Sequence, residues 1–273
     1  MPVHDKPAVP AQVLSAFGIA PIDGVALPGG EGMSRRYGEV VLKPTADPVE
    51  TEWACEVLAS VAERGFRLSR PVRACGGRWA VNGWTATRYV VGEATPTGRW
   101  QQVLAAGRAL HRQLVTIVRP EFLAARSHRW AHADRVAWGE QRADPLPEIK
   151  ATLDALIRMR RPVSARSQLI HGDLSGNVLF AEGLAPAIID FSPYWRPVDY
   201  ADAIVAVDAV LWFGAQPTLL ATASDVEGFA QYLIRAAIFR LVALNEHARE
   251  ADGTGLNELA NYHGLIADLD RLA

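Results

Sequence analysis

The chain has 273 residues, 49% of them hydrophobic and 21% charged, with a formal net charge of −2. That is enough apolar material for a sizeable core in one large domain or two lobes, and it lacks the excess positive charge of a broad nucleic-acid-binding surface. Cys55 and Cys75 are the only cysteines, without the C-x-x-C spacing of a zinc or redox site. The first residues, MPVHDKPAVPAQ, carry no basic stretch followed by an apolar run, and no later segment holds about twenty uninterrupted apolar residues. The expectation is a cytoplasmic protein that is not exported, spans no membrane and binds no nucleic acid, with an oligomeric state that composition does not set.

In chain order, Pro10 to Gly18 is a short apolar helix candidate closed by glycine. From Val25 the pattern becomes LPGGEGMSRRYGEVVLKP, a glycine-rich turn between two strand-like runs. Gly29, Gly30 and Gly32 let the backbone approach a ligand closely and expose N–H groups to phosphate oxygens, with Ser34 as a further contact; a plain hairpin turn has the same composition. The strand Glu39 to Lys43 ends in a lysine directly before Pro44, placed for a ligand or simply leaving for solvent. Asp47, Pro48 and Glu50 mark a helix start, and Glu52 and Glu56 then share one face, either able to pair with Lys43. Runs at Pro71–Cys75, Arg78–Asn82 and Thr85–Val91, separated by glycines, complete a small antiparallel sheet of about five strands with one helix.

Helical periodicity dominates beyond Gly92. Trp100, Val103, Leu104, Gly107, Leu110, His111 and Leu114 share one face, and His111 reads as a core or interface histidine. His128 and His132 stand at helical spacing with no third ligand nearby, so no metal site is expected there. Ala201 to Phe213 is apolar except for Asp202 and Asp208, and Phe229 to Leu244 is apolar nearly all round, the pattern of a buried helix.

The stretch that organises the chain is QLIHGDLSGNVLFAEGLAPAIIDFSPYWRPVDY, from Gln168 to Tyr200. Short apolar runs stop at His171-Gly172-Asp173 and at Asp190, and Asn177 opens a third run. Such runs suit buried strands whose ends open into a site. Asp173, Asn177 and Asp190 are what phosphoryl transfer from a nucleotide requires: a carboxylate to accept the proton of an attacking hydroxyl, and an amide oxygen with a second carboxylate to hold magnesium. Each alone is compatible with a turn residue. His171 reads as a structural brace for the loop.

HGDLSGNVLF followed by IIDFS resembles the catalytic and metal-binding loops of the aminoglycoside phosphotransferase and choline kinase group, small-molecule relatives of the protein kinases, with Gly172 where protein kinases usually have Arg. The strand ending at Lys43 resembles the family's V-A-I-K strand, GRALH its G-x-x-L-H helix segment, and Pro197 to Ala203 its P-x-D-x-x-D-A arrangement, with Asp202 matching the helix aspartate that braces the catalytic loop. The departure is the loop itself, where Leu174, Ser175 and Gly176 stand in place of four residues, a tightening that Gly176 is suited to absorb.

The resemblance implies a two-lobe, kinase-like α+β fold, with residues 1–92 as a nucleotide-binding N-lobe of antiparallel sheet and 93–273 as a mostly helical C-lobe carrying the acceptor. It implies an ATP- or GTP-dependent phosphotransferase acting on a hydroxyl of a small molecule, an aminoglycoside-like antibiotic being one such acceptor. Asp173 is then the catalytic base, Asn177 and Asp190 the Mg2+ ligands, and Lys43 the phosphate contact, held by Glu52. Gly29, Gly30, Gly32 and Ser34 cover the phosphates, and Val91 lies in the interlobe crossing that meets the base. A nucleotide-binding protein without catalysis is the rival, supported by the shortened loop. From Asp190 onward there are twelve acidic and five basic side chains, leaving +5 for residues 1–189. This suggests an acidic acceptor side suited to a cationic acceptor.

Overall fold

Glycine and proline break the first ninety residues into short elements, whereas the later sequence sustains long helical periods. The structure, a computed structural model, describes residues 8–21, 23–28, 32–251 and 253–273. In order, the elements are α1 (Ala11–Ala16), β1 (Val25–Ala26), β2 (Arg35–Tyr37), β3 (Val40–Pro44), α2 (Pro48–Ser60), β4 (Arg67–Leu68), β5 (Pro71–Val72), β6 (Ala80–Val81) and β7 (Trp84–Arg88). There follow α3 (Trp100–Leu114), α4 (Phe122–Ala125), α5 (Arg129–Trp138), α6 (Pro147–Met159), β8 (Gln168–His171), β9 (Val178–Leu179), β10 (Ala187–Ile188) and β11 (Pro193–Arg196). The chain ends in α7 (Val198–Trp212), α8 (Thr218–Thr222), α9 (Ala230–Glu250) and α10 (Leu259–Leu272).

Two compact units result. The first comprises the described residues up to Glu93 together with Leu179–Asp190. Among the described residues its main sheet runs β1-β2-β3-β7-β5, antiparallel throughout, with β6 paired to β7. Leu42 and Ala86 are directly paired and fully buried, and α1 covers them with Val13, Leu14 and Phe17. β4 pairs in parallel with β10. That pairing brings 179–190 into the first unit and away from the helical sequence on either side of it. Phe180 and Glu93 exchange backbone hydrogen bonds of 2.9 and 3.0 Å, closing the same corner.

The second unit, Ala94–Val178 with Phe191–Ala273, is built around α7 and α9. From Tyr200 to Ala209 every residue of α7 is buried, and α9 is buried from Tyr232 to Asn245. α9 packs on α5, α6 and α7, and α3 on α7. At roughly 1.5–3 kcal/mol for each large aliphatic side chain taken from water, these helices dominate the unit's stability. β8 pairs antiparallel with β11, His171 opposite Pro193 and Tyr194 opposite Ile170. The apolar runs at Leu169–Ile170 and Ala187–Ile188, on either side of the run at 178–180, therefore serve different sheets in different units. No helix among the described residues is long and apolar enough to cross a membrane.

The expected start of α2 is present: Asp47 Oδ1 accepts from the N–H groups of Val49 (2.9 Å) and Glu50 (3.0 Å), with Pro48 at the first helical position. Asp47→Ala is expected to cost about 1 kcal/mol through loss of this cap. Urea unfolding monitored by circular dichroism measures it, and Asp47→Asn should recover most of the loss.

Candidate active site

The catalytic segment is set by local rules. A Cβ at position 172 would run into the ring of Tyr194, whose strand pairs with β8, so glycine is required after His171. Four residues on, Gly176 adopts a left-handed conformation, φ +84°, which closes the loop in one residue fewer than the protein-kinase spacing. The tightened turn still delivers Asn177. Its side-chain amide donates to the Asp173 carbonyl (2.8 Å) and to Asp173 Oδ2 (3.1 Å), which leaves the amide oxygen as the free acceptor. His171 is fully buried, and its Nδ1 accepts the N–H of Asp173 (3.1 Å), so it braces the loop as expected.

Asp173 Oδ1 takes a third contact, from Arg240 Nη2 at 2.9 Å. Arg240 lies buried on α9 and is gripped on its other side by Asp208 of α7, at 2.7 Å from Nε and 2.6 Å from Nη2. Burial works against the guanidinium charge, but Asp208 and Asp173 more than restore it and leave Arg240 firmly protonated. Burial pushes the Asp208 carboxyl up, against the pull of Arg240. Asp202 plays a different part from the one expected: its Oδ2 takes Arg108 Nε at 2.7 Å and its Oδ1 has no partner, so it ties α7 to α3, and Asp208 is the α7 aspartate that steadies the loop, through Arg240. Burial holds the Asp202 carboxyl at about 6 despite Arg108.

In the first unit, Lys43 Nζ lies 2.9 Å from Asp190 Oδ1. Asp190 has φ +49°, a left-handed conformation uncommon for a residue with a side chain. Neither helix glutamate reaches this lysine, contrary to the expected Glu52–Lys43 pair. Glu52 Oε1 accepts from Arg78 Nε (2.8 Å) and from the N–H groups of Ala80 (3.0 Å) and Trp79 (3.1 Å), while Glu56 binds Arg73 and the Trp79 indole. Burial raises the Glu52 carboxyl, but these bonds outweigh it and carry the group below the ordinary carboxylate value. A carboxylate so supplied holds the 78–80 turn and has no reason to seek the ammonium.

Of the remaining expected contacts, Gly29 and Gly30 lie outside the described residues, Gly32 is left-handed at φ +66°, and the Ser34 carbonyl accepts from Leu27 N–H at 3.1 Å. Val91 is exposed, and its carbonyl accepts from Arg67 Nη2 at 3.0 Å.

Residues 35–223 match the family model described as the phosphotransferase enzyme family. The chain belongs to that family. No curated protein sequence matches it significantly. Solved structures with a similar fold include spectinomycin phosphotransferase APH(9)-Ia in complex with ADP and spectinomycin, 15% identical over 92% of this chain and 91% of that one, TM-score 0.56. A thermostable mutant of aminoglycoside phosphotransferase APH(4)-Ia, in ternary complex with AMP-PNP and hygromycin B, is 15% identical over 94% and 97%, TM-score 0.59. The choline kinase LicA from Streptococcus pneumoniae is 10% identical over 95% and 97%, TM-score 0.56. This phosphotransferase thus has the protein-kinase-like α+β fold expected of a small-molecule kinase.

The charge reading changes once the units are known. The second unit of the phosphotransferase holds eighteen basic and eighteen acidic side chains, and the first ten and twelve. The arginines between Arg99 and Arg166 offset the acidic C-terminal sequence, so the expected acidic acceptor side is absent as a net charge.

The Arg240–Asp208 pair escaped the sequence reading: α7 also carries Asp199 and Asp202 and α9 also carries Arg235, so charged residues in two largely apolar helices signalled buried ion pairs without saying which residues meet. Arg240→Met should destabilise the phosphotransferase by about 3–5 kcal/mol, because it strands Asp208 in the core; Arg240→Met combined with Asp208→Leu should recover most of this. Urea denaturation of the four proteins in that cycle measures it.

His111 supports a pH test. Its Nε2 accepts the His171 N–H at 3.0 Å, which needs a neutral ring, and burial, helped by His171, pushes the imidazole from 6.5 down to about 3. Between those values the unfolded chain binds a proton that the native state refuses, so this contribution to stability is full above pH 6.5 and is lost as the pH falls toward 3. Unfolding free energies from pH 7 to 4 should show a shallower decline in His111→Gln than in the wild type.

Proposed function

We propose that the protein transfers the γ-phosphoryl group of ATP or GTP to a hydroxyl of a small molecule. The observation that carries this is the constellation at Asp173: a half-exposed carboxylate fixed on one oxygen by Arg240 and on the other by Asn177. Such a carboxylate orients the acceptor hydroxyl and receives its proton as the phosphoryl group moves. This positioning role suits a loose transition state, in which the nucleophile needs alignment more than early deprotonation.

The donor set also fits Mg2+, a hard cation that takes oxygen ligands. Asn177 would offer its amide oxygen and Asp190 its carboxylate. When bound, magnesium neutralises the phosphate oxygens. Lys43, now paired with Asp190, would turn to those phosphates, and Gly32 and Ser34, with Gly29 and Gly30, would cover them. The neighbours solved with ADP and AMP-PNP support a nucleotide donor.

The rival without catalysis rested on the shortened loop, and the Asn177–Asp173 bonds survive that shortening. A panel of sugars, amino alcohols and hydroxylated antibiotics, assayed for ATP and GTP consumption with Mg2+, tests the proposal. Asp173→Asn should lower turnover roughly 10²–10⁴-fold. Nucleotide affinity, read by thermal shift with and without Mg2+, should stay within a factor of two. Near-normal turnover in this variant would remove Asp173 from the mechanism.

A further inference from the structure

In the second unit a cavity of about 160 Å3 opens between the α4 segment, α5 and β11. That is several times the ~30 Å3 a water molecule occupies in the liquid, room for a small polyatomic anion. Its charged lining is unequal: the guanidinium groups of Arg119, Arg126, Arg135 and Arg196 face only the carboxylates of Asp134 and Glu140. Both carboxylates are committed to one arginine. Arg196 takes Asp134 Oδ2 at 2.7 Å and the two oxygens of Glu140 at 2.5 and 3.0 Å, which makes it a structural group.

The remaining arginines keep their charge. Arg126 Nη1 donates to the Pro193 carbonyl (2.6 Å) and Arg135 Nη2 to the Arg126 carbonyl (2.8 Å), contacts that hold the side chains in place without neutralising them. Arg135 Nε is buried with no partner, and Arg119 makes no hydrogen bond or ion pair among the described residues. Glu140 reports the resulting field. The Arg196 hydrogen bond first, and then the charges of Arg196, Arg119 and Arg135, outweigh burial and hold its carboxyl below the ordinary value. With every group ionised the lining carries four positive and two negative charges, so a further anion is attracted and a cation repelled.

The cavity adjoins the catalytic loop. Tyr194 lines it, and the same ring is the one a Cβ at position 172 would strike, one residue before Asp173. The Arg126 guanidinium lies 5.8 Å from that ring. Burial, then Asp134 and, opposed by Arg240 and Arg126, Asp173 push the Tyr194 phenol up, so the ring feels the charges of the cavity and of the catalytic carboxylate together.

We infer that this cavity is an anion subsite of the acceptor: the acceptor is an alcohol that carries a carboxylate or phosphate, held by Arg119 and Arg135, while its hydroxyl meets Asp173. The planar guanidinium fork matches both anions. This rests on the phosphotransferase reading above and deepens it by naming the acceptor's charge and the two side chains that select it.

The test uses wild type, Arg119→Ala, Arg119→Glu, Arg135→Gln and Arg135→Lys. Arg119 is exposed, so its variants should melt within a few degrees of the wild type; Arg135→Gln and Arg135→Lys both keep a donor for the Arg126 carbonyl, and only the lysine keeps the charge. One readout is isothermal titration with inorganic phosphate and with malonate, in the presence of AMP-PNP and Mg2+. The other is turnover on sugar phosphates, hydroxy acids, the matching uncharged sugars and polyols, and polycationic aminoglycosides. Expected are binding of phosphate or malonate that weakens roughly tenfold or more in Arg119→Glu and Arg135→Gln but less than about threefold in Arg135→Lys, and an anionic alcohol as best acceptor. Its KM should rise in parallel, with the nucleotide KM unchanged. A preference for sugar phosphates identifies the anion as phosphate, and a preference for hydroxy acids as carboxylate.

No binding of either anion, or binding indifferent to both arginines, would overturn the subsite. So would a neutral or cationic best acceptor, or an anionic one whose KM ignores these variants; each of these leaves the phosphotransferase reading standing. Arginine-dependent anion binding without turnover on any alcohol would instead remove the phosphotransferase reading, and the acceptor role of the cavity falls with it.

Discussion

Arg240 is the constraint on which the second unit turns. A guanidinium that deep in a protein must be neutralised and hydrogen-bonded or the helix bearing it does not pack. Asp208 meets that need from α7, and Asp173 meets it from the catalytic loop. A single buried cation therefore joins the two central helices to Asp173 and its loop. The loop's own bonds, from Asn177 to Asp173 and from Asp173 N–H to His171, then leave Asp173 one orientation.

What the sequence made legible was local. The Asp47 cap, the glycine needed to close a short loop, and the order of Asp173, Asn177 and Asp190 all depend on neighbours within a few positions, where residue type and spacing carry the physics. Glu52 was not legible in this sense. Its partners Trp79 and Ala80 lie 27 and 28 residues away, and backbone N–H groups leave no mark in a sequence. Facing both Lys43 and two unpaired N–H groups, a carboxylate on that face of α2 had two plausible duties, and the fold decided between them. The Arg240–Asp208 pair, 32 residues apart on two apolar helices, was hidden for the same reason.

Charge was misleading because sequence halves are not spatial halves. An acidic C-terminal third and a basic middle segment fold into one unit and cancel.

The first unit is discontinuous in the chain, and this has a consequence for how it is made. Arg67 and Leu68 find their parallel partners only at Ala187 and Ile188, and the Glu93 corner closes only on Phe180. As the chain leaves the ribosome, about 120 further residues must be synthesised before that edge can pair, an interval of roughly 6–24 s at cellular elongation rates. Throughout it the antiparallel sheet has all its strands, but β4 lacks its parallel partner and Lys43 the aspartate that faces it. The first unit therefore waits for a segment that follows residues 94–178 of the second, so the two units cannot be completed one after the other.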